Sequence, residues 1–141
     1  MEQKKFKKIL IIIADFYHDI AKNLELGALS KLNNEEFTYE IKRVPGTLEI
    51  PTILNRFIKE YDGYVILTCL IKGETDHYHI VKDLAVREIY KIAYSMNIAI
   101  GSGIITADNY KQAVSRSKVT GEDYGGRAMI ACLKLIKILN E

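Results

Sequence analysis

Hydrophobic residues along the chain follow two alternating patterns. Runs that are continuous or alternate with polar residues, at 7–14, 37–44, 64–71 and 99–106, predict four β-strands. Apolar residues at helical spacing predict helices at 18–32 and 48–61, after the third strand, from a cap at Asp108 to about Arg116, and at the end of the chain. Alternation of strands and helices is typical of parallel βαβ units, so we predict a three-layer α/β/α sandwich around a four-stranded parallel sheet.

We expect the side chains that could bind a ligand or react with it to lie at one edge of that sheet. In open parallel sheets, ligands bind beyond the carboxyl ends of the strands. Here these ends are followed by residues 16–17, 45–49, 73–77 and 106–107. An aromatic ring, a carboxylate, a hydroxyl and an imidazole therefore meet at one edge.

The junction after the third predicted strand carries the strongest chemical signal. Gly73 permits a tight turn, and Thr75 or Asp76 is expected to cap the next helix. The first turn of a helix has unpaired N–H groups that bind anions, of which phosphate is the most natural here. We expect His77 in the same turn, where the helix dipole favours the neutral ring that accepts a proton. A single histidine at such a junction is more often structural, so support from other residues is needed.

Several other residues have two interpretations. Phe16 either offers a face to a flat heterocycle or packs under its own loop. Glu49 either accepts hydrogen bonds from a polyol or only complements a helix dipole, and Arg116 is either a phosphate clamp or a surface residue. Residues 101–103, Gly-Ser-Gly, are not a dinucleotide motif, because they lie within a predicted strand and lack the third glycine. Glycines inside a strand indicate that another backbone or a ligand comes close.

Composition narrows the class of protein. A chain of 141 residues with 48% hydrophobic content predicts one domain, residues 1–141. The net charge of +2 does not favour nucleic-acid binding, and the apolar run at 9–14 is too short to cross a membrane. Cys69 and Cys132 lack metal-ligand spacing and are expected to be core thiols in a reducing compartment, so we expect a cytoplasmic protein without a metal site.

Four segments together resemble the lumazine synthase family. They are LELGAL at 24–29, VPGTLEIP at 44–51, CLIKGETDH at 69–77 and QAVSR at 112–116. The resemblance implies a flavodoxin-like fold and the penultimate step of riboflavin biosynthesis. In that step, 5-amino-6-(D-ribitylamino)uracil condenses with 3,4-dihydroxy-2-butanone 4-phosphate to 6,7-dimethyl-8-ribityllumazine, phosphate and water. No redox or metal cofactor is implied.

The resemblance also implies roles for individual residues. The pyrimidine and ribityl chain are assigned to Phe16, Tyr17, Thr47, Leu48, Glu49, Leu70, Ile71 and Ser102. The phosphate is assigned to Gly73, Glu74, Thr75 and Arg116. His77 is assigned to proton transfer. Within this set, Phe16 is expected to stack on the pyrimidine and Glu49 to hold the ribityl chain.

The implied partners are two small-molecule substrates and further copies of the chain. Family members form pentamers, in some cases sixty-subunit shells, with the site between neighbours, and riboflavin synthase is a candidate protein partner. Arg116 is then expected to reach an adjacent subunit's site, and the first strand with its N-terminal lead to join the neighbouring sheet. The loop at 117–123 lacks the signature associated with shells, which leaves pentamer and shell both open.

The sequence also departs from the family pattern. Ser102 replaces an aromatic residue supplied by the neighbouring subunit, and four other positions differ: Tyr17 for Asn, Thr68 for Gly, His79 for an acidic residue and Tyr124 for Lys. Ser102 and His79 raise one alternative, a flavin- or lumazine-binding paralogue with weak or no synthase activity. A flavodoxin-like electron carrier is disfavoured, because the first loop lacks a hydroxyl-rich phosphate cradle.

Overall fold

The fold is a parallel sheet between two layers of helices. We describe it from a computed structural model, which covers residues 7–32, 36–74 and 76–141. The strands are β1 (Lys7–Ala14), β2 (Phe37–Val44), β3 (Gly63–Ile71) and β4 (Ile100–Ala107), and the helices are α1 (His18–Ser30), α2 (Ile50–Arg56), α3 (Tyr78–Met96), α4 (Tyr110–Ser117) and α5 (Tyr124–Leu139). All strand pairs are parallel, in the order β2-β1-β3-β4. The predicted α/β/α sandwich of flavodoxin-like type is confirmed.

Strand β1 explains why its sequence is apolar at consecutive positions. Ile9, Ile11 and Ile13 belong to the core cluster shared with α1 and α5, whereas Leu10 and Ile12 belong to the cluster shared with α2 and α3. All five side chains are fully buried. A strand with helices on both faces has no polar face, which is why strict alternation is absent.

The position of β1 corrects one expectation about assembly. β1 pairs along its length with β2 on one side and with β3 on the other. Both of its edges are therefore occupied within its own sheet, and β1 cannot join a neighbouring sheet. The N-terminal lead, residues 1–6, lies outside the described residues.

The glycines of β4 contact protein backbone. A Cβ on Gly101 would lie 1.8 Å from the carbonyl oxygen of Ala128 on α5, and one on Gly103 would lie 3.1 Å from that of Tyr124. The sequence predicted a close approach by a backbone or a ligand, and the structure shows backbone. These glycines let α5 pack directly on the sheet.

Several helix ends differ from the predicted ones. α2 ends at Arg56, five residues before the predicted end, because Phe57 leaves helical geometry and Lys59 adopts a φ of 66°. α4 is capped by Asn109, whose side chain accepts a hydrogen bond from the Gln112 N–H at 2.8 Å, and not by Asp108. α1 ends at Ser30, two residues early. Among the described residues, no helix is long and apolar enough to cross a membrane.

Candidate active site

A cavity of about 270 Å³ opens beyond the carboxyl ends of β1, β2 and β3. It lies where the strand order changes direction, between β1 and β3, which is the usual ligand position in such sheets. Eight predicted site residues line it: Phe16, Tyr17, Thr47, Leu48, Glu49, Leu70, Ile71 and Glu74. Gly46, Cys69 and Val81 also line it and were not predicted as site residues, although Gly46 and Cys69 lie within the motifs that carry the resemblance.

Phe16 and Tyr17 form an aromatic wall directly after β1. The two rings meet edge to face, with centroids 4.9 Å apart and an interplanar angle of 82°. Phe16 is 70% exposed, so it does not pack under its own loop, and its ring face is open to a ligand. An exposed aromatic face beside a cavity favours the stacking interpretation of this residue.

The Tyr17 phenol is a hydrogen-bond donor in this cavity. Burial is the largest effect that raises the pKa of Tyr17 above its ordinary value of 10.0, followed by the charge of Glu74 and then by Cys69. A raised pKa keeps the phenol protonated at neutral pH. Tyr17 therefore presents an O–H group beside a carboxylate.

The opposite wall is a short 3-10 turn, Thr47–Glu49, that leads into α2. The hydroxyl oxygens of Thr47 and Thr68 lie 2.6 Å apart in a hydrogen bond, and both residues are buried. This contact fixes the turn to β3. It leaves Leu48 and Glu49 exposed at the cavity, where the Glu49 carboxylate comes within 3.3 Å of the position that a Cβ on Gly46 would take.

The floor comes from the end of β3 and the turn after it. The Glu74 N–H donates to the Ile71 carbonyl at 3.3 Å, and Gly73 adopts a φ of 88°, as the third position of a type II turn requires. Burial raises the pKa of the Cys69 thiol to about 12, so no thiolate nucleophile forms there at neutral pH. Cys69 therefore contributes to the floor of the cavity as a neutral thiol.

The start of α3 differs from the prediction in two respects, the position of His77 and the cap of the helix. His77 is the N-terminal flanking residue of α3 and lies just before its first turn, without a side-chain capping bond. Neither Asp76 nor His77 caps the helix through its side chain, and Thr75 lies outside the described residues. His77 is exposed, and its carbonyl accepts the Val81 N–H at 2.9 Å. Val81, one turn along α3, lines the cavity.

Two predicted site residues lie away from this cavity. Ser102, on β4, shares a hydrogen bond with the hydroxyl of Tyr90 on α3. Arg116, in the last turn of α4, donates from Nη1 to the Thr106 carbonyl at 2.6 Å. Neither lines the cavity, nor do Gly73 and His77, although those two flank its lining residue Glu74.

Comparison with known proteins identifies the family. The family model described as 6,7-dimethyl-8-ribityllumazine synthase matches residues 7–140. The chain belongs to this family. A protein of that name from Bartonella henselae is 42% identical over 134 residues, covering 92% of this chain and 86% of the relative. One from Paramagnetospirillum magneticum is 35% identical over 143 residues, covering 95% of both chains. One from Agrobacterium fabrum is 38% identical over 137 residues, covering 92% of this chain and 93% of the relative.

Two of the positions at which we expect this chain to depart from the family pattern have partners in the structure. The Thr68 hydroxyl is hydrogen-bonded to that of Thr47. The Ser102 hydroxyl is hydrogen-bonded to that of Tyr90. Both side chains therefore belong to hydrogen-bonded pairs.

Proposed function

We propose that this enzyme of the lumazine synthase family condenses 5-amino-6-(D-ribitylamino)uracil with 3,4-dihydroxy-2-butanone 4-phosphate. The products are 6,7-dimethyl-8-ribityllumazine, phosphate and water, so the enzyme is a transferase of riboflavin biosynthesis. The observation that carries the proposal is the family match over residues 7–140. The cavity agrees with it, because eight of its lining residues are those that the resemblance assigns to the substrates.

The aromatic wall and the 3-10 turn are suited to the uracil substrate. The exposed Phe16 ring offers a stacking face, and Tyr17 buttresses it edge to face. Glu49 is assigned to the ribityl hydroxyls, from which a carboxylate accepts hydrogen bonds. Its exposure, on a turn held by the Thr47–Thr68 hydrogen bond, supports this assignment. Leu70 and Ile71 at the end of β3 offer main-chain groups to the ring.

The turn after β3 is assigned to the phosphate and to proton transfer. The amine of the uracil substrate attacks the ketone to form an imine, and phosphate then leaves, so an anion site and a base must lie close together. Gly73 and Glu74 belong to this turn, and His77 lies directly before α3. The resemblance assigns Thr75 to the phosphate together with them. Holding both substrates in register supplies much of the rate.

We further propose a homo-oligomer in which neighbouring subunits complete each site. Arg116 and Ser102 do not line the cavity of their own chain, which agrees with a role in an adjacent one. Large apolar side chains on α3 also remain exposed, with Ile80 at 64% and Tyr94 at 76%, and an interface would cover them. A pentamer, with a sixty-subunit shell as the larger form, a cytoplasmic location and riboflavin synthase as a partner belong to the same proposal.

The direct test is to incubate the protein with both substrates and follow product absorbance. His77→Ala is expected to slow turnover by about tenfold or more, because a positioned base is lost. Arg116→Ala is expected to raise the KM of the phosphorylated substrate far more than that of the uracil. Arg56→Ala, which removes an exposed guanidinium on α2, is the matched control. Tight flavin binding without product would instead favour the paralogue.

A further inference from the structure

We propose that Glu122 tunes phosphate affinity by neutralising Arg116 in the free protein. The inference rests on the proposed function, in which Arg116 binds the phosphate of the second substrate. It assigns to Glu122 the role of a competing anion, which phosphate displaces on binding and which pairs with Arg116 again when phosphate leaves.

One nitrogen of the Arg116 guanidinium is hydrogen-bonded within the protein, and another, Nε, has no acceptor among the described residues. Its Nη1 donates to the Thr106 carbonyl at 2.6 Å, and the side chain is only 26% exposed. Its Nε is buried and has no hydrogen-bond partner among the described residues. A buried charged donor without an acceptor is costly, and an oxygen of a bound anion would satisfy it. Arg116 is therefore positioned for an anion by Thr106.

The Glu122 carboxylate lies near the Arg116 guanidinium but does not accept a hydrogen bond from its Nε. Its Oε2 lies 3.6 Å from Nε of Arg116, close enough for an ion pair but beyond hydrogen-bonding distance. The Glu122 side chain is 47% exposed, and such pairs are weak and screened. A phosphate that makes true hydrogen bonds to Arg116 has a stronger interaction than the carboxylate it replaces.

The backbone of the loop places Glu122 independently of Arg116. The Glu122 N–H donates to the Ser115 carbonyl at 3.1 Å, and the Asp123 N–H donates to that of Lys118 at 3.0 Å. Gly121 packs so tightly that a Cβ there would lie 2.2 Å from the Ser115 oxygen. Because the loop is anchored to α4 in this way, a substitution of the Glu122 carboxylate leaves both the loop and Arg116 in position.

The test is Glu122→Gln, which removes the charge and keeps the side-chain size. We expect the KM of the phosphorylated substrate and the inhibition constant of inorganic phosphate to fall about two- to fivefold, or ~0.4–1 kcal/mol. The KM of the uracil substrate is expected to stay the same. Glu60→Gln, which removes the same charge from an exposed pair with Arg56, is the matched control and is expected to change neither constant.

A double variant separates this inference from the proposed function. If Glu122 acts through Arg116, then Glu122→Gln has no further effect on phosphate inhibition in an Arg116→Ala background. Unchanged or raised constants for Glu122→Gln, with Arg116→Ala still selectively weakening the phosphorylated substrate, would overturn the inference alone. Equal KM values for wild type and Arg116→Ala would overturn the phosphate clamp and this inference with it.

Discussion

The hydroxyls of Thr47 and Thr68 link the two sides of the cavity at the scale of single residues. Both side chains are buried, and each hydroxyl is the partner of the other. A buried hydroxyl that loses its partner keeps the cost of leaving water. The placement of the 3-10 turn therefore depends on this pair.

Thr68→Val tests that dependence. The substitution keeps the volume and removes the hydroxyl, so it is expected to lower the free energy of unfolding by about 1–3 kcal/mol. Because the turn carrying Glu49 loosens, the KM of the uracil substrate is expected to rise. Urea unfolding and steady-state kinetics measure the two effects, and Thr52→Val on the exposed face of α2 is the control. Equal stability of the two variants would contradict the role of the pair.

Arg116 shows what the sequence and the structure each contribute to one residue. Its place in the QAVSR segment allowed both a surface role and a phosphate role. The hydrogen bond to Thr106 shows that the guanidinium is anchored to the end of β4, and the Glu122 carboxylate lies 3.6 Å from its Nε. Neither neighbour follows from helical periodicity, because the loop geometry that brings them together is tertiary.

At the scale of elements, the close contacts of α5 with β4 and α1 depend on glycines, which have no side chain. α5 begins with Tyr124-Gly125-Gly126, and a Cβ on Gly125 would lie 2.1 Å from the Leu24 carbonyl oxygen of α1. Gly101 plays the same part on β4. Helix α5 can therefore lie close both to the sheet and to α1, its neighbour in the same layer.

Gly101→Ala and Gly103→Ala are expected to destabilise the protein to different degrees. The new Cβ would meet the Ala128 oxygen at 1.8 Å in the first case, whereas in the second the nearest atom is a side-chain methyl of Leu67 at 2.9 Å. A backbone atom cannot move aside as a side chain can, so we expect a cost of about 1–3 kcal/mol or more for Gly101→Ala and less for Gly103→Ala. Chemical denaturation measures both, and the reverse order would contradict this packing.

At the scale of the whole molecule, the cavity of one chain contains only part of the predicted site. The residues assigned to the pyrimidine and ribityl chain line it, with the exception of Ser102. Arg116 lies apart from it. The proposed site shared between neighbouring subunits would account for this division, and it predicts that two different defective chains can complement each other.

Mixed oligomers of His77→Ala and Arg116→Ala chains test the shared site. If each site takes its histidine from one chain and its arginine from the next, about one quarter of the sites in an equal mixture are intact. Activity of the co-expressed chains is then expected to exceed the mean of the two separate variants. The separately purified variants, mixed without reassembly, are the control. Activity equal to that mean would place both residues in one subunit's site, and a monomeric mass would remove the shared site altogether.

The sequence by itself predicted the four strands, the α/β class and eight of the residues that line the cavity. Continuous apolar runs such as residues 9–13 reveal strands covered on both faces, because burial on two sides leaves no polar position. The chain's order of strands and helices then brings the loops after β1, β2 and β3 to one edge. Local pattern and connectivity are enough for the fold and for the edge at which a ligand binds, whereas the individual site residues came from the resemblance to the lumazine synthase family.

Only the tertiary structure decided which groups touch at that edge. The pairs Thr47 with Thr68 and Tyr90 with Ser102 join separate elements, and their contacts depend on angles and distances between packed layers. Arg116 meets Glu122 because the loop after α4 folds back onto that helix. The end of α2 at Arg56 and the cap at Asn109 were decided in the same way. Periodicity specifies which face of an element is buried, whereas the packing of the complete chain selects the partners of each polar group.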